Sequence, residues 1–360
     1  MYNLSFGKEK ITRVEADVLY CKEMLPKVSR TFAPTIRLLP QILEVPVTVA
    51  YLLCRIADTV EDSPDLNYEK KRQLLTGYAR IFTENRPLSQ EAFMKGVAVL
   101  PRKSADDELV YHLPRVLNVF RSFSLTVQKH ISRWVVEMSL GMQKYAQEAK
   151  RPRFTFLKSM KELDEYTYYV AGTVGYLLTE LFSYYSHKIT PPLKKKMENL
   201  AGSFGKGLQL VNIIRDMTTD LRRGQSYIPD ELLEKYRLSR DSIFDRENAD
   251  KAEELFNELI QNAVHHLDNA MNYILLIPKE ESQIRMFCIL PVFWAMRTLE
   301  KIQQNTLALL GSEKIKISRS IIRREYFLAM VGIRSNRLMR RHYLRIRQEF
   351  NNLALDTVRI

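Results

Sequence analysis

The chain has 360 residues, 46% of them apolar, and a net charge of +13. Its apolar content is ample for a sizeable core, and no stretch reaches the roughly 18 uncharged apolar residues of a membrane span. Three widely spaced cysteines, Cys21, Cys54 and Cys288, argue against a disulfide framework and show no metal-ligand spacing. We therefore expect a cytoplasmic protein without a transmembrane anchor, in contact at most with a membrane surface.

Helical periodicity dominates the chain from its first third onward. Apolar residues recur at three- and four-residue spacing in 47–62, 133–149, 200–221 and 251–276, while 166–178 is almost wholly apolar. The prolines that lie between such segments are expected to stop helices: Pro26, Pro40, Pro64, Pro101, Pro152, Pro191 and Pro229. No alternating strand pattern, linker or repeat interrupts them. We predict an all-α fold of about ten helices in a single domain over 1–360, with basic helices from about 318.

The segment "VTVAYLLCRIADTVED" ends in two carboxylates, Asp58 and Asp62, with Arg55 just upstream. The i and i+4 spacing stacks both carboxylates on one face of a helix. Two carboxylates so close repel each other unless a cation lies between them. Oxygen-only ligands suit Mg²⁺, which commonly bridges to substrate phosphates. The pair is therefore a candidate magnesium site.

A second pair of the same kind, Asp216 and Asp220, ends the helix "LQLVNIIRDMTTDLRRG". Arg215 lies beside it, and Gln209 and Asn212 share its helix face. Amides in an otherwise apolar helix need partners, which indicates a substrate or a metal-bound water. An ordinary intrahelical ion pair is the alternative interpretation for both arginines and would contribute only about 0.3–0.5 kcal/mol.

A third pair, Asp241 and Asp245, shows that spacing alone is weak evidence, because its context is polar and no apolar run precedes it. We interpret it as a helix start on the surface. The other two pairs both end strongly apolar helices, and we expect them to face one another across a central apolar cavity. Carboxylate-bound Mg²⁺ and arginines would hold a diphosphate there, and the apolar helices a hydrocarbon chain. Those features are typical of isoprenoid diphosphate enzymes.

Four motifs resemble the squalene and phytoene synthase family in the expected order. They are "SRTF", "YLLCRIADTVED", "YTYYVAGTVG" and "LQLVNIIRDMTTDLRRGQSYIP". Later, "NAVHHLDNAMNYILL", "RMFCILPVFWAMRTL" and "KIKISR" resemble the squalene synthase branch, whereas phytoene synthases usually diverge there. Two departures stand out. The spacer between Tyr273 and Phe287 is about two residues longer than is expected for the family, and Gln225 follows Gly224 where the family often has arginine.

The resemblance implies a role for each matching residue. It implies metal binding by all four aspartates and places Tyr166 near the reacting carbons, where it would remove a proton or stabilise a cation. It implies contacts to the diphosphate or prenyl chain by Ser29, Arg30, Phe32, Tyr51, Arg55, Ala171, Gly172, Gln209, Asn212, Arg215, Arg223, Tyr227 and Tyr273. Simpler roles stay open: a helix cap for Ser29, close helix packing for Gly172 and Gly175, and a core position for each tyrosine. His265 and His266 are interpreted as structural.

The activity that the resemblance implies is head-to-head condensation of two farnesyl diphosphates, through presqualene diphosphate, to squalene. Its cofactors would be Mg²⁺ and NADPH, with Lys314, Lys316 and Arg319 as candidates for the cofactor phosphate. A solvated basic loop is the alternative for these three residues, because no Gly-rich dinucleotide motif is present.

Other functions remain open. A synthase without the reductive step would stop at presqualene diphosphate, dehydrosqualene or phytoene. A non-catalytic relative is another alternative. A third is a basic helical protein that binds nucleic acid or an anionic membrane through its C-terminal cluster. Because the last alternative leaves both aspartate pairs unexplained, we expect farnesyl diphosphate as the partner and no nucleic acid.

Overall fold

The computed structural model describes residues 4–84, 87–148, 157–222, 225–304, 306, 309 and 315–357, and side chains over most of these ranges. All regular structure within them is helical, which confirms the all-α fold. The chain divides into two compact units, Met1–Gln147 with Glu180–Tyr185 and Glu148–Thr179 with Ser186–Ile360. The single domain and its central cavity stay predictions.

The first unit is built from eight successive helices in its described part. They are Leu4–Val28 (α1), Phe32–Ile36 (α2), Gln41–Asp62 (α3), Tyr68–Glu84 (α4), Pro87–Val97 (α5), Ala105–Tyr111 (α6), Leu113–Ser122 (α7) and Leu125–Glu148 (α8). The core of this unit forms where α1, α3, α6 and α7 pack together. Pro26 lies within the last turn of α1, so the expectation that it falls between helices was wrong.

The second unit begins with Met160–Thr167 (α9), a π-helical turn at Tyr168–Gly172 and Thr173–Tyr185 (α10), whose last six residues belong to the first unit. The later helices are Pro191–Arg222 (α11), Asp230–Lys235 (α12), Ala249–Leu276 (α13), Ser282–Gln303 (α14), Arg319–Gly332 (α15) and Asn336–Thr357 (α16). Two 3₁₀ turns, Ser242–Phe244 and Arg246–Asn248, precede α13. The short helices make the described chain richer in elements than the predicted ten.

Two glycines allow the central part of the second unit to pack closely. A Cβ on Gly175 would lie 1.9 Å from the carbonyl oxygen of Ala201, and one on Gly205 would lie 1.9 Å from that of Ala171. No side chain fits at either position unless the backbone moves. The π turn and α10 therefore approach α11 at backbone distance, as the packing interpretation of Gly175 predicted.

Buried charged residues connect the C-terminal helices to α13 and α14. The guanidinium of Arg285 is fully buried and donates to the Ile277 carbonyl and to Asn336 Oδ1, at 2.9 and 2.6 Å. The carboxylate of Glu325, also fully buried, accepts from Arg297 Nε at 2.9 Å and lies 2.5 Å from His342 Nε2. These contacts join the end of α13 and the middle of α14 to α15 and α16.

Candidate active site

One polar stripe runs along the second half of α3. Tyr51, Arg55, Asp58 and Asp62 follow one another at three- and four-residue intervals and are half-buried or exposed. Apart from Thr59, every other residue from Leu52 to Glu61 is buried in the core. Four of the predicted site residues therefore share one face of a helix whose remaining surface is packed. The local geometry of this motif agrees with its prediction.

Arg55 is held by a residue that sequence reasoning missed. Its Nε donates to Asp106 Oδ1 at 2.7 Å, whereas its NH1 lies 4.0 Å from Asp58 Oδ2. Asp106 occupies the first turn of α6, which begins with a capping box between Ser104 and Asp107. The segment "SADDE" signals that helix start. The sequence gives no sign that Asp106 reaches an arginine 51 positions away.

The acidic end of α3 contains more negative charge than its surroundings neutralise. The Asp58 side chain is 30% exposed, and burial together with the charges of Asp62 and Asp106 raises its pKa to about 7, against the opposing effect of Arg55. Glu61 is buried, and burial and Asp62 raise the pKa of its carboxyl group well above the usual value. Carboxylates that ionise this reluctantly become stable anions when a cation binds beside them.

The "SRTF" segment leads into the start of α2. Ser29 is buried and its Oγ accepts from the Phe32 backbone N–H at 3.1 Å, which fixes the turn before α2, whereas Thr31 occupies the N-cap position of that helix. Phe32 is half-buried with its ring centroid 6.0 Å from that of Tyr51. The Tyr51 hydroxyl donates to the Val28 carbonyl at 3.3 Å, and burial raises its pKa. Arg30 is exposed. The structure thus brings Ser29, Phe32 and Tyr51 together beside the polar stripe of α3.

A matching stripe lies on α11. Gln209, Asn212, Arg215, Asp216 and Asp220 are all half-buried and recur at intervals of about one turn. Within the described chain, neither amide side chain makes a hydrogen bond. Arg215 NH2 lies 2.5 Å from Asp216 Oδ2, so this arginine pairs with the adjacent residue. The stripe is therefore assembled as predicted, and the Asp216 carboxylate is already engaged.

One turn before Gln209 on α11, Lys206 forms an ion pair that the sequence analysis did not predict. Lys206 Nζ donates to Asp164 Oδ1 at 2.7 Å, and His266 Nε2 lies 3.5 Å from the same oxygen. The His266 and Lys206 hydrogen bonds together lower the pKa of Asp164 to about 2 against the effect of burial. His266 also lies 3.0 Å, Nδ1 to Oγ, from Ser203, in agreement with its structural interpretation. Nothing in their separate sequence positions signals this cluster.

The central motif contains the π turn. Tyr166 precedes it, is buried, and stacks on Tyr227 with ring centroids 4.9 Å apart. Ala171 and Gly172 lie within the turn, where Gly172 is buried and Ala171 half-buried. Turns of this kind occur frequently at functional sites because they shift the backbone of a helix locally. Two predicted site residues, Tyr166 and Tyr227, are therefore in direct contact.

Tyr273 has the surroundings of a core residue. It is fully buried, its hydroxyl lies 2.8 Å from Thr179 Oγ1, and its ring stacks on Phe204 at 5.3 Å. Burial raises the pKa of the hydroxyl well above its usual value. Its role in substrate binding stays a prediction.

The candidate cofactor residues that the structure describes lie before and at the start of α15. Lys316 and Arg319 are both exposed, and the Lys316 carbonyl accepts from Lys301 Nζ at 2.6 Å. Ser318 caps α15 through a hydrogen bond from the Ile321 N–H to its Oγ, at 3.3 Å. Lys314 and Arg223 fall outside the described residues.

The two acidic pairs belong to different units, Asp58 and Asp62 to the first and Asp216 and Asp220 to the second. That they face one another stays a prediction. Across the described chain, no set of three or more His, Cys, Asp or Glu side chains is arranged to hold a metal. The third pair differs, because Asp241 and Asp245 are exposed, flank a 3₁₀ turn and do not share an α-helix.

Comparisons with known proteins agree with these features. Residues 25–320 match the squalene/phytoene synthase family. The chain therefore belongs to the squalene/phytoene synthase family. It is 29% identical over 321 residues to squalene synthase of Homo sapiens, covering 88% of this chain and 72% of that protein. It is 28% identical over 318 residues to squalene synthase of Schizosaccharomyces pombe, covering 88% and 66%.

Solved structures support the fold. A complex of TcSQS with the ligand E5700 superposes with a TM-score of 0.77 at 23% identity, covering 95% of this chain and 97% of that one. A dehydrosqualene synthase complex gives 0.62 at 19% identity, covering 91% and 99%. In the helices that the structure describes, none is sufficiently long and apolar to cross a bilayer.

Proposed function

We propose that this protein condenses two farnesyl diphosphates head to head and reduces the presqualene diphosphate so formed to squalene. The observation that carries the proposal is the cation-poor acidic end of α3, in a chain that belongs to this family and is 29% identical to a squalene synthase over most of its length. It is a prenyltransferase, and farnesyl diphosphate is its substrate.

The donor set on α3 fits a divalent cation. Asp58 and Asp62 supply carboxylate oxygens only, one of them 30% exposed and so within reach of a hydrated ion. Asp216 and Asp220 offer the same donors on α11. When bound, Mg²⁺ would supply Lewis-acid stabilisation of the departing diphosphate. The carboxylates would orient and retain the ion, and Asp62 is close enough to Glu61 to raise the pKa of the Glu61 carboxyl group.

The arginines recognise the diphosphate. Arg55 keeps its Nε on Asp106, which fixes the direction of the guanidinium and leaves its remaining N–H groups for phosphate oxygens. Arg215 exchanges part of its contact with Asp216 for the substrate. Gln209 and Asn212 donate from the same face of α11 to phosphate or to its bound water.

Aromatic rings protect the allylic cation that ionisation of the C–O bond creates. The Tyr166 and Tyr227 pair offers π faces at the π turn, and Phe32, at the start of α2, and Tyr51, in the middle of α3, offer them beside the polar stripe. Their apolar surroundings exclude water, which would otherwise quench the cation. Tyr166 is the candidate for orienting the proton that is lost as the cyclopropane ring closes.

The reductive step requires a hydride, which NADPH would supply when bound. Lys316 and Arg319 are exposed cations suited to the cofactor phosphate. Cys21, Cys54 and Cys288 are buried free thiols, in keeping with a reducing compartment such as the cytosol.

Product analysis tests the proposal directly. Purified protein is incubated with farnesyl diphosphate and Mg²⁺, with and without NADPH, and extracts are analysed by mass spectrometry. We expect squalene only when NADPH is present, and presqualene diphosphate when it is omitted. Dehydrosqualene in the presence of NADPH, or a C40 product from geranylgeranyl diphosphate in preference to squalene, would contradict it.

A further inference from the structure

Helix α15 packs against the rest of the second unit through only a narrow stripe of residues. Its buried residues recur at i, i+4 and i+7: Glu325, Ala329 and Gly332. The opposite side of the helix carries Phe327, Met330 and Val331, which are 58%, 49% and 63% exposed. Apolar side chains scattered singly over a surface need no explanation. Three on one stripe, directly opposite the packing stripe, form a continuous outward apolar face.

This apolar face has an arginine at each end. Arg323 lies one turn before Phe327, and Arg334 follows the end of the helix, about 16 Å away along the axis. Both are exposed. From Arg319 to Gln348 the chain has nine arginines and one carboxylate, Glu325, which is fully buried among its own cations. The exposed surface of α15 and of the part of α16 up to Gln348 thus combines apolar and positive groups, with no exposed acidic side chain in that range.

We propose that α15 docks on an anionic lipid surface. Phe327, Met330 and Val331 enter the boundary between headgroups and acyl chains, while Arg323 and Arg334 contact lipid phosphates. An apolar stripe with basic residues beside it is the arrangement by which helices bind in the plane of a membrane interface. A second copy of this chain fits less well, because a symmetric contact through this face would bring like charges together. The docking does not depend on the proposed reaction.

Vesicle flotation of the full chain tests the proposal. The probes are vesicles of phosphatidylcholine alone and vesicles with about one third phosphatidylglycerol. We expect binding to the anionic vesicles only, and weaker binding as salt is raised. The triple variant Phe327→Gln, Met330→Gln, Val331→Gln should bind at least about tenfold more weakly. The double variant Arg323→Gln, Arg334→Gln should lose roughly fivefold for each arginine.

Matched controls use equally exposed residues of the first unit. Leu88, Val99 and Leu125 are 72%, 69% and 83% exposed, and their triple replacement by glutamine should leave binding unchanged. Lys27→Gln with Lys95→Gln is the matching charge control, since both lysines are exposed. Farnesyl diphosphate turnover without vesicles should be unaffected in every α15 variant, which separates this proposal from the proposed function.

Two results with the triple variant would overturn the proposal. One is equal flotation of the parent and the triple variant. The other is found if light scattering shows a dimeric parent and a monomeric triple variant, and the triple variant still floats. The apolar face would then be the contact with a second copy of the chain. A gain-of-signal variant, Phe327→Trp, keeps the test valid if the glutamine variants misfold. Its added tryptophan emission should shift to the blue on anionic vesicles and be quenched by brominated anionic lipid. Unchanged emission would also overturn it.

Discussion

Two acidic clusters in this molecule, one fully buried around Glu325 and one partly exposed around Asp58, are built in opposite ways. Around Glu325, burial disfavours the charge, but His342 and Arg297 outweigh it and lower its pKa to about 2. Around Asp58, burial and neighbouring acids outweigh Arg55 and raise the pKa to about 7. The difference lies in the number of cations that the protein supplies, since the Nε of Arg55 is bonded to Asp106.

The comparison separates a structural carboxylate from a ligand-binding one. Glu325 has its counterions within the fold, so it stabilises the packing of α15 and α16 and needs nothing further. At Asp58 and Glu61, burial and neighbouring acids outweigh the nearby Arg55 and Lys71, so a cation bound beside them would stabilise their charged forms. Removing negative charge should therefore destabilise the fold at Glu325, but leave its stability unchanged or higher at the end of α3.

The largest effect is expected at the cation-poor end of α3. Replacing Asp58 and Asp62 together by asparagine should lower kcat at least about a thousandfold, because the metal-assisted departure of diphosphate is lost. Thermal stability without metal should be unchanged or higher, since mutual repulsion is removed. Radiolabelled farnesyl diphosphate and calorimetry measure the two quantities. The same replacement at Asp241 and Asp245 is the control with matched spacing and should leave kcat intact.

Glu325→Gln, in contrast, should lower the stability of the folded protein. The folded protein should lose about 3 kcal/mol of unfolding free energy at pH 7, because Arg297 and His342 remain buried without their anion. A depressed carboxyl pKa gives stability that is present above the unfolded value of about 4.5 and is lost as the pH falls towards 2. The difference between parent and variant should therefore shrink from pH 5 to pH 3. Urea unfolding measures it, with the exposed Glu254→Gln as control, and a constant difference would refute the assignment.

The position of the second aspartate pair depends on a steric contact, the close packing of α11 against the π turn, and not on charge. Gly205→Ala places a methyl group 1.9 Å from the Ala171 carbonyl oxygen, so α11 must move away from the π turn. We expect a loss of about 2–3 kcal/mol in stability and a fall in kcat as Asp216 shifts. Gly77→Ala, which meets nothing within 4 Å, should instead gain about 0.5–1 kcal/mol. Equal effects at the two glycines would contradict the close approach.

The smallest effect on activity is expected at Asp106, and it tests whether this residue acts by holding Arg55. Asp106→Asn frees Arg55 to approach Asp58, which partly neutralises the acidic cluster and should lower kcat/KM about tenfold. Asp107→Asn, one residue along, weakens the capping box of α6 and should cost about 1 kcal/mol of stability while kinetics stay unchanged. Steady-state assays and urea unfolding distinguish them. A shared kinetic defect would show that only the position of α6 matters.

The sequence predicted most of the fold and the local composition of the site. Apolar periodicity was enough to place α3, α11 and α13, and the i, i+4 aspartates share a face because helix geometry is local. Features that depend on distant contacts were not predictable, such as Asp106 reaching Arg55 and Glu325 collecting cations from α14 and α16. The π turn at Tyr168–Gly172 was missed because its pattern of apolar residues matches that of an ordinary helix.

The central claim is that the acidic end of α3 takes an external divalent cation because the protein leaves it short of internal ones. Its most direct test is the thermal midpoint as MgCl₂ is raised from zero to about 20 mM. We predict a rise for the parent chain and for Glu325→Gln, which starts lower, and a clearly smaller rise for Asp58→Asn with Asp62→Asn, in which only the α11 pair remains. A rise in that double variant equal to that of the parent would contradict the account.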